Sequence, residues 1–378
     1  MFKLSSNLPF YWRLTDSEKF DEGEIPTNLP FELEIENGLV RVRRNVELIN
    51  ALEKVYSLDY NIGYIQEGYD IAAPYIEDFT NFIYKYLNHF SGSEKILEIG
   101  CGGGLILKQF HDKGYICLGI DPSPIAAKAS KKYGFPLISE TFPVNSLKNR
   151  FDFIYHSDVL EHVLDPISFI KEQYDILNKD GILIVSIPNA TENLELGDIS
   201  IAMHQHLQYF TFNSIINLLH TTGFKVIGIE KSGYGGSIYC AAVKTESDDF
   251  YNAENKIEKE LPNFENAINN FRTNLETTKG SIGFYVPLRA LPYLSAVKYN
   301  LMDPTFRFFD DTSHWHKKHF DGTLIKIENF KDLVDDPVDN IFIMSLTFEH
   351  EIKQKIQNYF KNKIKVTSLR DLISKMNN

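Results

Sequence analysis

A glycine-rich segment between two acidic residues is the part of the sequence whose residue types point most directly to ligand binding. Glu98 is followed by Gly100, Gly102 and Gly104, directly after an apolar run that predicts a buried strand. Glycine lets the backbone turn sharply and approach a ligand closely. Asp121 ends the next predicted strand, where a carboxylate can accept hydrogen bonds from both hydroxyls of a ribose. The spacing therefore predicts a site for a ribose-bearing ligand at the carboxyl ends of parallel strands.

The pattern of the glycine loop discriminates between two ribose-bearing cofactors. A dinucleotide site requires G-x-G-x-x-G/A, whose third small residue permits close packing of the following helix. That place is Leu105 when counted from Gly100 and Leu107 when counted from Gly102, so neither frame fits. The acidic Glu98 suits a cationic ligand and would repel a pyrophosphate. The segment resembles the E-x-G-x-G-x-G signature of the class I S-adenosylmethionine (SAM) methyltransferases, and this resemblance implies that SAM is the cofactor.

The segment FDFIYHSDVLEHVLDP resembles a second landmark of the same family, which follows its fourth strand beside the methyl group of SAM. The resemblance implies that His156 and Ser157 contact the cofactor and that Asp158 contacts the acceptor. His162 either touches the acceptor or, with its neighbours, caps and orients the loop. Glu140, after the third predicted strand, either meets the adenine amino group or is an exposed loop residue.

Three further segments resemble the sugar C-methyltransferases that act on nucleotide-linked keto-sugars. Residues 204–210 (HQHLQYF) resemble their E-H-x-x-x-F stretch, and residues 234–237 (YGGS) resemble their H-G-G-S turn. The tyrosines around Tyr64 lie where that family has a tyrosine-bearing lid. The resemblance implies a SAM domain followed by a C-terminal α/β domain, with a sugar or a nucleotide-linked sugar as the acceptor. It also implies the following substrate-binding residues: Tyr64, Asp158, His204, Tyr209 and Tyr234.

The sequence departs from the sugar C-methyltransferases in the catalytic residues. The Y-x-E-H motif of that family corresponds to residues 203–206, of which only His206 is retained, and Gln205 cannot act as a base. C-methylation needs a base that removes a proton from carbon and a group that stabilises the enolate, whereas O-methylation needs one well-placed base. Because histidine titrates near neutral pH, we take His162 and His206 as candidate bases and favour O-methylation. Capping and packing are the alternative roles of the H-x-H at 204–206.

No metal site is predicted from the sequence. The zinc-binding cysteines of the sugar C-methyltransferases are absent, and Cys101, Cys117 and Cys240 are too widely spaced for a zinc ribbon or a disulfide framework. Residues 314–319 (HWHKKH) lack nearby carboxylates or cysteines, and their two lysines would repel a cation. This histidine cluster is either a solvated loop or a contact for a phosphate-bearing substrate.

The alternation of apolar runs and helical patterns sets the predicted fold. From residue 95, short apolar runs alternate with helix patterns, which indicates a parallel, doubly wound, Rossmann-like α/β sheet. A second α/β pattern begins at residue 281, whereas residues 1–70 show little sustained periodicity. The predicted organisation is the following: an N-terminal extension with lid helices at 1–92, the SAM-binding domain at 93–245, a helical connector at 246–280 and a smaller C-terminal α/β domain at 281–378.

Composition and charge limit the partners of the protein. The 378 residues carry a formal net charge of -12, and no basic stripe points to nucleic acid. No stretch approaches the ~20 apolar residues of a membrane span, and the N-terminus lacks the apolar run of a signal peptide. We therefore expect a cytoplasmic enzyme that acts on a small molecule, a sugar nucleotide under the resemblance, with its oligomeric state open. The alternatives are a methyltransferase for another small metabolite and a SAM-binding interaction module without catalysis.

Overall fold

The structure, a computed structural model, contains three main sheets and the helices that cover them. It describes residues 1–11, 13–16, 25–57, 72–87, 94–145, 147, 150–245, 261–361 and 363–374. The strands are β1 Phe2–Lys3, β2 Leu8–Pro9, β3 Leu14–Thr15, β4 Asn28–Leu29, β5 Glu32–Glu36, β6 Leu39–Val42, β7 Lys95–Ile99, β8 Ile116–Ile120, β9 Leu137–Ile138, β10 Phe151–Ser157, β11 Leu177–Pro188, β12 Gln208–Tyr209, β13 Phe224–Lys231, β14 Ser237–Lys244, β15 Ile282–Tyr285, β16 Arg307–Phe309, β17 His319–Phe320, β18 Ile327–Glu328, β19 Asn340–Ile343 and β20 Lys365–Ser368. The helices are α1 Val46–Ser57, α2 Ala72–Leu87, α3 Leu105–Asp112, α4 Pro124–Tyr133, α5 Pro166–Ile176, α6 Thr191–Leu196, α7 Phe212–Thr221, α8 Phe264–Thr277, α9 Pro287–Ala296, α10 Phe330–Asp335, α11 Glu349–Phe360 and α12 Leu369–Ile373.

The largest sheet has seven strands in the order β13-β14-β11-β10-β7-β8-β9. Strands β7 to β11 run parallel to one another, as the alternating sequence pattern predicts. β14 runs antiparallel to both β11 and β13, which corrects the expectation of a wholly parallel sheet. Strands β7, β8 and β9 follow one another toward one edge of the sheet, and β10 then pairs with β7 on its opposite side. A crevice for a ligand therefore opens at the carboxyl ends of β7 and β10.

Helices cover both faces of this sheet because its inner strands are apolar on both sides. In β10, Phe153 and Tyr155 pack with α2, α3 and α4, whereas Ile154 packs with α5 and α7 on the opposite face. Local signals in the sequence bound α4, which Ser123 caps at its first turn and Gly134 ends in the left-handed conformation. The covered sheet is a rigid platform for the loops at its carboxyl edge.

The N-terminal part forms a sheet, which corrects the expectation of irregular structure before residue 70. Strands β1, β5, β6 and β12 make a four-stranded antiparallel sheet. Asn37 and Gly38, with φ angles of 52° and 76°, form the two-residue turn between β5 and β6. An Asn-Gly pair between β-prone residues is a hairpin signal that the sequence carries. Because β12 pairs with β6, the N-terminal sheet supports the stretch of chain between β11 and β12.

A second parallel sheet lies in the C-terminal part, in the order β18-β16-β15-β19-β20. It has the α/β pattern that the sequence predicts from residue 281. One apolar core contains residues of the N-terminal strands, of α8 and α9 and of this sheet, among them Phe31, Phe271 and Phe284. β17 also pairs with β3. The predicted domain boundaries stay predictions, and the packing shows that the N-terminal and C-terminal parts share a core.

The predicted helical connector is described only in part. Residues 246–260 of the predicted connector lie outside the described residues, and α8 occupies most of the remainder. Among the helices that the structure describes, none is both long and apolar enough to cross a membrane.

Candidate active site

In the glycine loop at the carboxyl end of β7, each of the three alternate glycines occupies a position that disfavours a side chain. Gly100, Gly102 and Gly104 have φ angles of 73°, 45° and 66°, in the left-handed region that favours glycine. A Cβ atom at Gly100 would lie 2.4 Å from Val159 Cγ2, and one at Gly104 would lie 2.5 Å from the ring of Phe135. A Cβ at Gly102 would meet no atom of the described residues within 4 Å. The outer two glycines thus permit packing, whereas Gly102 faces open space where a ligand can approach the backbone.

Asp121 lies directly after β8, as the sequence predicts, and its carboxylate binds the glycine loop. Its Oδ2 accepts a hydrogen bond from the Gly102 N–H at 2.8 Å, and its Oδ1 accepts one from the Ser123 N–H at 2.7 Å. Each carboxylate oxygen has a second lone pair. The carboxylate can therefore shape the loop and still accept hydrogen bonds from ribose hydroxyls.

Glu98 lies buried beneath the loop and is suited to a cationic ligand. Its Oε2 accepts a hydrogen bond from the Tyr155 hydroxyl at 3.0 Å. Burial raises the pKa of Glu98 to about 8, and the negative charge of Asp121 adds to this rise. In the described part of the chain, no lysine or arginine forms an ion pair with Glu98 or Asp121. The residues present fit SAM, which carries a sulfonium and an ammonium group and no pyrophosphate.

Ser157 and Asp158 lie at the carboxyl end of β10, next to the crevice, and Tyr75 of α2 joins them. The Tyr75 hydroxyl lies 2.6 Å from Ser157 Oγ and 2.9 Å from Ser186 Oγ, and it donates to Asp158 Oδ2 at 3.0 Å. Burial raises the pKa of Asp158 to about 6. The sequence analysis missed Tyr75, because in the sequence it is one more aromatic residue of an amphipathic helix.

The structure brings the two candidate bases together. The ring centroids of His162 and His206 lie 5.0 Å apart, with the planes at 78°. His162 Nδ1 lies 2.7 Å from the Gln205 carbonyl oxygen and 3.2 Å from the Tyr56 hydroxyl. Both rings are half-buried, and the loss of water lowers the pKa of His162 to about 4 and that of His206 well below its usual range. Both imidazoles are therefore neutral near pH 7.

The buried carboxylate of Glu161 lies beside the two histidines, and together the three side chains form a possible metal site. Glu161 Oε1 lies 3.7 Å from His162 Nε2. The donor atoms of Glu161, His162 and His206 all lie within 4.8 Å of one another, so the three residues could hold a metal ion. The sequence analysis predicted no metal site and did not consider this set, because His206 is distant from the other two along the chain.

His204 and Tyr209 are buried in the core, contrary to the substrate-binding roles predicted for them. The ring of His204 is buried between Phe10 and Phe31, and its Nε2 lies 3.2 Å from the Pro30 carbonyl oxygen. The buried Tyr209 hydroxyl is hydrogen-bonded to the backbone of residue 203. Residues 204–205 form a turn before β12, so the two histidines do not share a face as residues i and i+2 of a strand would. His204 enters the core, whereas His206 lies beside His162.

His156 also departs from its predicted role as a cofactor contact. Its ring is fully buried on the α5 side of the sheet, with its centroid 5.4 Å from that of Phe169. Neither ring nitrogen has a hydrogen-bond partner, and burial lowers the pKa to about 3. The side chain therefore cannot reach a ligand at the carboxyl edge.

The remaining predicted residues lie in three different settings. Glu140 is exposed on the loop after β9, as its alternative role required. Tyr234 is half-buried, and its ring centroid lies 5.9 Å from that of Phe348 at the start of α11. Tyr64 and the rest of the predicted lid segment 60–69 lie outside the described residues. In the histidine cluster of residues 314–319, His316 Nε2 lies 2.9 Å from the Asp310 carbonyl oxygen.

Comparisons with known proteins concern the methyltransferase sheet and its helices. The methyltransferase domain family matches residues 71–229. The chain is 30% identical over 136 residues to the mitochondrial ubiquinone biosynthesis O-methyltransferase of Schizosaccharomyces pombe, covering 34% of this chain and 49% of that protein. It is 32% identical over 123 residues to the ubiquinone biosynthesis O-methyltransferase of Haemophilus ducreyi, covering 29% of this chain and 52% of that protein. The chain thus spans about half the length of these curated relatives.

Among solved structures, the N-methyltransferase NodS of Bradyrhizobium japonicum, in complex with S-adenosylhomocysteine, is 15% identical with a TM-score of 0.40, covering 53% of this chain and 99% of that chain. The fold, the glycine loop and the family match together show that the chain carries a class I SAM-dependent methyltransferase domain with SAM as its cofactor. The resemblance to sugar C-methyltransferases stays a prediction.

The open space at Gly102 predicts a selective effect of a single methyl group. Gly102→Ala and Gly114→Ala both place alanine at a positive φ, where no atom of the described residues lies within 4 Å of the new Cβ. Each should lose about 1–2 kcal/mol of unfolding free energy from backbone strain. Only Gly102→Ala should weaken binding of S-adenosylhomocysteine, by about tenfold or more, because its methyl group occupies the ligand side of the loop. Isothermal titration calorimetry measures this, and equal affinities of the two variants would contradict the assignment.

The buried His156 predicts a pH dependence of stability. An unfolded histidine binds a proton below about pH 6.5, whereas the folded protein resists protonation of His156 down to about pH 3. The unfolded state therefore binds more protons in this window, and stability falls as pH falls. Between about pH 7.5 and 5 this residue should remove about 2 kcal/mol from the free energy of unfolding. His156→Phe should reduce the pH dependence by that amount in urea titrations, and an unchanged dependence would exclude His156 as its source.

Proposed function

We propose that the protein transfers a methyl group from SAM to a hydroxyl oxygen of a small molecule, with a sugar or nucleotide-linked sugar as the favoured acceptor. The observation that carries the proposal is the cluster of His162 and His206 at the carboxyl edge of a SAM-binding sheet. When bound, SAM supplies an electrophilic methyl group. The residues of this chain bind and orient the acceptor and receive the hydroxyl proton.

The cluster supports O-methylation because it offers neutral proton acceptors. The Gln205 carbonyl oxygen accepts a hydrogen bond from His162 Nδ1–H, which leaves the lone pair on Nε2. His206 lies beside it and is neutral as well. The position where the sugar C-methyltransferases have a glutamate is Gln205, whose side chain cannot take a proton from carbon. A hydroxyl acceptor demands less of these residues than a carbon acceptor does.

The choice of a sugar rests on the sequence motifs and on how the C-terminal part meets the methyltransferase sheet. A Cβ atom at Gly236, in the YGGS turn, would lie 2.7 Å from Thr347 Oγ1 in the loop between β19 and α11. Tyr234, in the same turn, contacts Phe348. The turn before the last strand is therefore in direct contact with the second α/β sheet, which could complete an acceptor pocket. The proposal includes the cytoplasmic location that the sequence predicts.

A phenolic acceptor is the second candidate. The relatives reported above are named ubiquinone biosynthesis O-methyltransferases. The methyltransferase domain family matches residues 71–229, which contain the glycine loop and His162. A phenol loses its proton more easily than a sugar hydroxyl, so a weak base would suffice. A SAM-binding module without catalysis remains the alternative from a different class.

Replacement of the clustered histidines should abolish turnover without abolishing cofactor binding. We expect His162→Ala and His206→Ala each to lower kcat by about 10²–10⁴-fold, the usual range for a positioned proton acceptor. Release of S-adenosylhomocysteine with a panel of sugar nucleotides, sugars and phenols measures turnover and identifies the acceptor class.

His204→Leu is the matched control, because His204 belongs to the same H-x-H stretch but is buried in the core. It should lower stability and leave kcat within about threefold of the wild type. Unchanged turnover in the double variant of His162 and His206 would refute their role. SAM binding without turnover on any acceptor would favour the interaction module.

A further inference from the structure

We propose that Glu161, His162 and His206 bind one divalent transition-metal ion and that this ion receives the oxygen of the acceptor hydroxyl. Metal binding is argued from the geometry of the three side chains alone. Binding of the acceptor by the ion deepens the proposed function and rests on it.

Glu161 is the first observation. Its side chain is 1% exposed, and neither carboxylate oxygen has a hydrogen-bond partner in the described part of the chain. His162 Nε2 lies 3.7 Å from Glu161 Oε1, beyond hydrogen-bond distance, and of the described backbone only that of Glu161 itself acts on the carboxylate. A buried carboxylate without a partner costs several kcal/mol, whether it keeps its charge or takes up a proton that no acceptor receives. A cation beside it removes that cost.

The orientation of His162 is the second observation. Its Nδ1–H donates to the Gln205 carbonyl oxygen at 2.7 Å, so the lone pair lies on Nε2, the nitrogen on the side of Glu161. Histidine ligands of metal ions are fixed in this way, with the nitrogen that does not bind the ion donating to a backbone carbonyl or a carboxylate. The same contact that orients a base therefore orients a ligand.

The third observation is that the three donors converge. They lie within 4.8 Å of one another, and a Zn²⁺ ion with ligands at about 2 Å would draw them to separations of about 3–3.5 Å. The negative charge of Asp158 acts on Glu161 and favours a cation, whereas the positive charge of Arg289 acts on His206 and opposes one.

The donor set identifies the class of ion. Two imidazole nitrogens and one carboxylate suit Zn²⁺ or Fe²⁺, whereas Mg²⁺ and Ca²⁺ prefer oxygen ligands. Three protein ligands leave a coordination position open, as in catalytic zinc sites. An acceptor hydroxyl bound there would have its pKa lowered. With the ion bound, the two histidines would be ligands and not proton acceptors, so the O–H bond would break with the proton passing to water. The alkoxide oxygen would then form the new bond to the methyl carbon as the S–CH3 bond of SAM breaks, and the electron pair of that bond would stay on sulfur to give S-adenosylhomocysteine.

Metal titration of the full-length protein tests the site without any acceptor. After dialysis against EDTA, Co²⁺ is added as a spectroscopic probe and then displaced by Zn²⁺, with Mg²⁺ as a comparison. We expect one equivalent of Co²⁺ with visible d–d absorption, displaced by Zn²⁺ and not by Mg²⁺. Glu161→Gln and His206→Ala should weaken binding by about a hundredfold or more. His204→Leu should leave it unchanged, because that ring lies in the core.

Binding of S-adenosylhomocysteine shows which variants are folded, so loss of metal in a folded variant supports the site. Absence of a bound equivalent in the wild type, or equal affinity in the two ligand variants and in His204→Leu, overturns the proposal. Turnover that persists undiminished after complete removal of metal overturns the role of the ion in catalysis. A protein that binds the ion but methylates no acceptor refutes the proposed function and leaves the metal site intact.

Discussion

Uncompensated negative charge at the carboxyl edge of the central sheet is the constraint on which the rest of the site depends. Four carboxylates lie there without a lysine or arginine ion pair in the described part of the chain: Glu98, Asp121, Asp158 and Glu161. Burial raises the pKa values of Glu98 and Asp158 to about 8 and about 6, so a nearby cation would favour the charged form of both. Ligands that bring positive charge therefore bind favourably at this edge, and SAM is such a ligand.

The cofactor half of this edge could be predicted from the sequence because it is local. The residues that form it, from Glu98 to Asp121, lie on two consecutive strands, and their spacing alone places them together. What the sequence could not show is why the outer glycines are needed, since Val159 and Phe135, whose side chains would meet a Cβ there, come from other elements. The fold of the methyltransferase sheet followed from the same local alternation, apart from the reversed β14.

The acceptor half could be predicted only in part because it depends on contacts between distant segments. His204 and His206 look equivalent in the sequence, and only the path of the chain into β12 decides that one ring enters the core. The approach of His206 to Glu161 depends on that same path. The β5–β6 hairpin, which supports β12, can be predicted from the Asn-Gly pair in the sequence. The pairing of this hairpin with β12 cannot, because the two segments are far apart in the chain.

The two halves of the site therefore belong to different cores. The glycine loop and Asp121 are set by the methyltransferase sheet, whereas the stretch with Gln205 and His206 leads into β12, which pairs with β6 of the N-terminal sheet. Among the described residues, hydrogen bonds from His162 Nδ1 to the Gln205 carbonyl oxygen and from Gln208 Nε2 to the Val163 carbonyl oxygen connect that stretch to the loop after β10. Loosening of the N-terminal strands would release His206 from Glu161 while Glu98 and Asp121 stayed in place. Under the proposed function, cofactor binding and acceptor activation therefore depend on different cores, and the N-terminal strands support the second.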